Sequence, residues 1–224
     1  MNANQIRAVA PTVDPGIWLP LLTAAAARFN IVGVQAEAAW LANAGHESAG
    51  FTVLEESLNY KWVALLGQWP RKFDPVTAVR VGRVDTVVTS GGRTGVYNGS
   101  QFIPTAAHRA DQQSIANIAY AGRFGNDVPG DGWKFRGHGL FQLTFKDNYA
   151  QYAAAVNAPS VMNDPSLLSK PEHAASSAAW FWKSKGLSQV LASRGFDAVC
   201  IAINGGKIGL PERQQLYARV VAAT

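Results

Sequence analysis

The chain has 224 residues, 48% of them hydrophobic and only 16% charged. That balance excludes an intrinsically disordered chain and supplies enough apolar surface for one large core. Lys and Arg (20) exceed Asp and Glu (15), for a net charge of +5. Nucleic acid and the anionic bacterial wall would both attract such an excess, but it is not packed into runs and no aromatic–basic nucleic-acid motif accompanies it.

In chain order, 3–10 reads as a short helix ended by Pro11, and Asp14-Pro15-Gly16 as a turn. A helix over 20–29 follows, with Pro20 in its first turn. The run Val34 to Glu47 has helical spacing, with Ala36, Trp40 and Asn43 on the face that carries Glu47, and Gly50 as a stop signal. Short helices are expected over 62–69 and 74–82. Thr86 to Tyr97, with Ser90-Gly91-Gly92 at its centre, reads as a β-hairpin. Helical spacing returns over 111–121. Gly122 to Gly139 is Gly-rich and reads as a long functional loop. Helices are expected over 147–156, 172–184 (after Pro171), 197–203 (stopped by Asn204-Gly205-Gly206) and 211–221. Trp180-Phe181-Trp182 reads as core. The reading is one mainly α domain, with a larger helical lobe, a smaller lobe around 61–125 flanking a cleft, and a small β-hairpin insertion.

Cys200 is the single cysteine and lies in an apolar run, so it reads as a buried structural thiol. The N-terminus lacks a signal-peptide layout, and the apolar stretch 19–27 is shorter than the ~20 residues a bilayer span needs. Synthesis in the cytoplasm, no stable membrane insertion and a monomeric state are the expectations. Asp164, His173 and Asp197 lack ligand spacing, so neither metal nor other cofactor is expected.

His46-Glu47-Ser48 at a helix end and Glu56-Ser57-Leu58-Asn59-Tyr60 in a polar loop place two carboxylates nine residues apart. Two surface glutamates are the plain reading; acid/base cleavage of a sugar bond is the chemical one. These segments resemble the catalytic region of family 19 glycoside hydrolases, chitinase-like enzymes that include many phage endolysins. Three further blocks fit in order: 119–126 (AYAGRFGN), 131–144 (DGWKFRGHGLFQLT) and Ile203-Asn204-Gly205-Gly206. The likeness covers most of the chain, from about Val34 to Arg219. The family usually has Arg where this chain has His138, and 86–107 looks like an insertion against its pattern, either a decorative surface hairpin or a substrate-contacting flap.

The resemblance implies a lysozyme-like two-lobed fold and assigns candidate roles. Glu47 is the general acid, whose pKa an apolar setting from Trp40 and Phe51 would raise. Glu56 is the general base, preferred to Glu55 by register. Thr144 helps hold the attacking water, its own proton given to a carboxylate. Gln142, which shares a side with Thr144 if this stretch is extended, binds N-acetyl sugars with Asn148 and Asn204. Asn204 before Gly-Gly equally suits a helix C-cap. Read from the residues themselves, Tyr60 and Trp133 suit either the core or an aromatic face for sugar rings, His46 is structural, and Arg213 reaches toward the acid from the last helix.

The expected function is that of a peptidoglycan-degrading endolysin, cutting β-1,4 bonds between N-acetylated amino sugars with inversion, in the periplasm after release by another factor such as a holin. The expected partner is the peptidoglycan glycan strand, not nucleic acid. A chitinase, a lytic transglycosylase using Glu47 alone and a non-catalytic wall-binding protein are the alternatives.

Overall fold

The computed structural model describes residues Met1–Thr224. Its elements are α1 (Ala3–Val9), α2 (Pro15–Arg28), α3 (Val34–Glu47), α4 (Trp62–Gln68), α5 (Pro75–Val81), β1 (Val88–Ser90), β2 (Arg93–Asn98), β3 (Gln101–Pro104), α6 (Gln112–Tyr120), α7 (Asp131–Lys134), α8 (Lys146–Val156), α9 (Ser160–Asn163), a 3₁₀ turn (Pro165–Ser169), α10 (Pro171–Ser184), α11 (Leu187–Asn204) and α12 (Leu210–Ala222). The mainly α class and the lysozyme-like character read from the sequence hold. No single helix is long and apolar enough to cross a membrane.

The chain forms two compact units. The first comprises Met1–Glu56, Gly137–Thr144 and Asn148–Thr224; the second comprises Ser57–Arg136 and Phe145–Asp147. In the first unit α3 is buried almost all round, lined by Ala36, Ala38, Ala39, Ala42, Ala44 and Gly45. Side chains this small let neighbouring helices come close. A Cβ on Gly45 would lie 2.8 Å from the Val9 Cβ, so α1 crosses α3 where only glycine fits. α12 packs along α3, and α10 against α2. Trp182 is buried at the centre and Trp180 nearly so, whereas Phe181 is half-buried and tilts against Phe141 at 5.3 Å.

The second unit holds two clusters. Leu58, Leu65, Phe73, Ala78, Val81, Ile115 and Ala119 form one. Val79 and Val84 with Val96 and Ile103 of the sheet form the other. The sheet is antiparallel in the order β1-β2-β3. The expected hairpin is there, turning at Gly91 and Gly92 with positive φ. The third strand was not anticipated, although Asn98-Gly99 is a strong turn signal and Gly99 sits at φ +60°. Because Val96 and Ile103 are buried, the sheet is not a detachable surface decoration.

Three other boundaries differ from expectation. α2 starts at Pro15: the Asp14 carboxylate accepts from the Gly16 N–H, and Pro at the first turn needs no donor of its own. Pro20 therefore lies inside the helix rather than at its start. Gly122 to Gly139 contains α7, where a Cβ on Gly132 would stand 2.4 Å from the Ala116 carbonyl oxygen. α11 is two helices that meet at a break at Gly195 (φ +79°): the part after the break matches the helix expected over 197–203, and the part before it, from Leu187, was not expected.

Candidate active site

Glu47 is the last residue of α3, one turn beyond Asn43 on the same face. Arg213, from the first turn of α12 and only 2% exposed, spans both. Its Nη2 donates to Glu47 Oε1 at 2.5 Å and its Nη1 to Asn43 Oδ1 at 2.8 Å. The Asn43 amide in turn donates to the Ala39 carbonyl at 2.9 Å. The sequence-based expectation that Arg213 reaches Glu47 is met. The apolar setting expected for Glu47 is corrected: Trp40 and Phe51 are buried, but what faces the carboxylate is a guanidinium, while the Glu47 side chain keeps 24% exposure.

The chain leaves α3 through a constrained turn. Ser48 Oγ donates to the Ala44 carbonyl and accepts from the Phe51 N–H. Ala49, Gly50 and Phe51 all have positive φ, and non-glycine residues there cost about 1–3 kcal/mol each, offset by surrounding contacts. His46 packs on Gly209, where a Cβ would fall 2.6 Å from its Nε2. Desolvation, then the Arg213 charge, hold the His46 pKa below its ordinary value, with Glu47 and Glu212 opposing.

Glu56 lies on a strand-like path beside 137–139. Its N–H donates to the Gly137 carbonyl at 2.9 Å, and its Oε2 accepts from the Gly137 N–H at 3.1 Å. Glu55 bridges His138 and is exposed. A Cβ on Gly137 would meet Gln142 Oε1 at 3.0 Å and the Glu56 Cβ at 3.2 Å, so these three residues are in close contact. Sequence reasoning missed Gly137, which lies 81 positions from Glu56 and carries no local signal of the contact.

The segment 138–143 is a closed turn, not an extended strand. His138 and Leu143 exchange both backbone hydrogen bonds, and Gln142 sits at φ +49°. Gln142 and Thr144 are therefore related by a turn rather than by strand alternation. The Gln142 amide donates to the Gly139 carbonyl, leaving a buried Oε1 with no partner in the protein. Thr144 Oγ1 donates to the Gln142 carbonyl at 2.8 Å, not to a carboxylate as expected. Its lone pairs remain to accept from a donor such as water. The Asn148 amide donates to the Thr144 carbonyl at 2.7 Å. Glu56, Gln142, Thr144 and Asn148 thus form one linked group. His138 is buried against Tyr149, its Nδ1 2.7 Å from the phenol oxygen, and serves the packing of this turn.

Asn204 ends α11 and is exposed, with its amide donating to the Ile208 carbonyl at 3.1 Å; Gly205 supplies the left-handed cap. It ties down the 205–209 loop. In the second unit, Tyr60 meets Trp69 edge-on at 5.2 Å, and Arg136 stacks 3.7 Å over the Trp133 ring. Both aromatics pack against the core of that unit. Cys200 is 1% exposed, and burial pushes its thiol up to about 11. No group of three or more His, Cys, Asp or Glu is arranged to hold a metal ion.

No family model matches the chain. A Haemophilus influenzae protein described as a glycosyl hydrolase family 19 domain-containing protein is 32% identical over 212 residues, covering 93% of this chain and 90% of that protein. Among solved structures, chitinase C from Streptomyces griseus HUT6037 superposes with a TM-score of 0.58 at 16% identity, covering 99% of this chain and 91% of that one. A bacterial family 19 chitinase gives 0.57 at 19% identity, with 99% and 93% covered. At these identities the structural likeness speaks for the fold, and the Haemophilus relative speaks for the family. The chain belongs to glycosyl hydrolase family 19 and is a glycoside hydrolase.

Proposed function

We propose that the protein hydrolyses β-1,4 bonds between N-acetylated amino sugars of bacterial peptidoglycan by single displacement, as an endolysin acting on the wall in the periplasm once another factor has let it through the membrane. The observation that carries the chemistry is the contrast between its two carboxylates. Glu47 ends a helix beside a buried guanidinium, and Glu56 sits on a loop with its oxygen on a backbone N–H.

In this reading protonated Glu47 gives its proton to the glycosidic oxygen as the C1–O bond breaks. Arg213 then stabilises the carboxylate left behind through a charge-assisted hydrogen bond. Glu56 takes a proton from a water that attacks C1 from the opposite face, and Thr144 accepts that water's second hydrogen. The atoms balance as one water added and one glycosidic bond cut, with the anomeric centre inverted. The unpartnered Gln142 Oε1 suits an acetamido N–H, and the net charge of +5 favours the anionic wall over neutral chitin.

Purified peptidoglycan and chitin oligomers, digested side by side and read by mass spectrometry, test this. New reducing ends from peptidoglycan, lost in both Glu47→Gln and Glu56→Gln, are expected. Anhydro ends that survive Glu56→Gln would replace it with a transglycosylase. Cleavage of chitin alone would replace the substrate.

A further inference from the structure

The first unit carries an open groove of about 640 Å³ between the start of α3 and the break in α11, within the size range of small-ligand sites. It is lined by Val34 and Gln35 of α3, by Leu191, Ala192 and Phe196 around the break in α11, and by Tyr217 of α12. Glu47 stands at the far end of the 14-residue α3, about 20 Å away at 1.5 Å per residue. The groove is therefore separate from the two-carboxylate site.

Three features define what it takes. The Phe196 and Tyr217 rings stack in parallel, 4.3 Å between centroids and 9° apart, a rigid pair with apolar faces. The Tyr217 hydroxyl donates to Gln35 Oε1. That fixes the exposed Gln35 amide with its oxygen used and its two N–H donors free of the ring. No charged side chain lines the groove, so neither a phosphate nor an amine finds a counter-ion there. A neutral ligand with one apolar face and carbonyl acceptors fits all three, as an N-acetylated pyranose does. Its C–H face would lie on the aromatic pair and its acetamido oxygen on the Gln35 amide. A Cβ on Gly195, at φ +79°, would meet nothing within 4 Å, so the backbone there borders open space.

We propose that this groove is a second, non-catalytic binding site for N-acetylated amino-sugar chains. It would hold the enzyme on the polymer while the distant carboxylates act. The proposal rests on the reading that such a glycan is the substrate.

The test uses the full chain as Glu47→Gln, titrated with N-acetylchitotetraose and followed by ¹H–¹⁵N NMR. Saturable shifts are expected at the Gln35 side-chain amide and at the Ala192, Gly195 and Phe196 backbone amides. Ala192→Trp, at an exposed position, should fill the groove and abolish them. In the otherwise native enzyme Ala192→Trp should leave turnover of soluble oligomers unchanged. Hydrolysis of insoluble wall should fall about tenfold or more, as loss of a linked second site predicts. Tyr217→Ala should do the same. Silent groove resonances at saturating sugar, or shifts indifferent to Ala192→Trp, would overturn the proposal even if hydrolysis is confirmed. Groove shifts in a protein that cleaves no glycan would sustain the groove and remove the catalytic reading instead.

Discussion

Arg213 and Glu47 lie 166 positions apart in the chain, yet the guanidinium Nη2 meets the carboxylate at 2.5 Å at the junction of α3 and α12. The same guanidinium also holds the wholly buried Asn43. Arg213 is thus both a structural bolt between two helices and the counter-ion of the proposed acid.

Arg213→Met should therefore damage stability and activity together. It strands the Asn43 oxygen in the core and removes the cation from Glu47. Breaking a buried pair typically costs 3–5 kcal/mol. The partial exposure of Glu47 puts the expected loss near the lower end, about 3 kcal/mol by urea denaturation. A variant as stable as the native protein would show that the pair contributes little.

His46 gives a pH signature. Its folded-state pKa is lowered, first by desolvation and then by Arg213, so between that value and the unfolded value near ~6.5 the unfolded chain binds more protons. In that window stability rises with pH; below the folded pKa the slope vanishes. His46→Gln should flatten this part of the curve. Chemical denaturation at half-unit pH steps, native against variant, reads it out, and identical slopes would remove His46 from the account.

The sheet of the second unit offers a packing test. Val96 and Ile103 are buried against Val79 and Val84, and full burial of such side chains is worth roughly 1.5–3 kcal/mol each. Deleting 86–97 should lower Tm clearly. Gly95→Ala should also destabilise, because a Cβ there would come within 2.4 Å of the Ile103 carbonyl oxygen; overpacking of this kind costs about 1–3 kcal/mol. Unchanged melting in both would return the sheet to the status of a dispensable insertion.

Much of this was legible in the sequence, and the gaps have physical causes. α3 announced itself through periodicity, and its resemblance-bearing His46-Glu47-Ser48 end marked one carboxylate. Long-range partners carry no local signal, so the Gly137 N–H on Glu56 went unread. Strand alternation misled at 142–144 because Gln142 adopts a left-handed conformation that its side chain does not advertise. The helix after Gly195 was legible, and the one before it, from Leu187, was not read. Short β3 was missed because four residues ending in proline carry little pattern of their own.

Thr144 distinguishes chemistry from packing. Its proton is spent on the Gln142 carbonyl, which leaves the lone pairs as acceptors. If they hold the attacking water, Thr144→Ser should keep most activity. Thr144→Ala and Thr144→Val should each lose about tenfold in kcat, the kinetic equivalent of about 1.4 kcal/mol, with KM little changed. A nearly normal Val variant beside an impaired Ser variant would assign the residue to packing alone.

The central claim is that Glu47 and Glu56 act as acid and base on opposite faces of one sugar ring. The most direct measurement is ¹H NMR of the anomeric proton in the first product released from a β-linked N-acetylglucosamine oligomer or muropeptide, recorded before mutarotation. The account predicts the α-anomer. The β-anomer at early time, or an anhydro sugar with no anomeric hydroxyl, would contradict it.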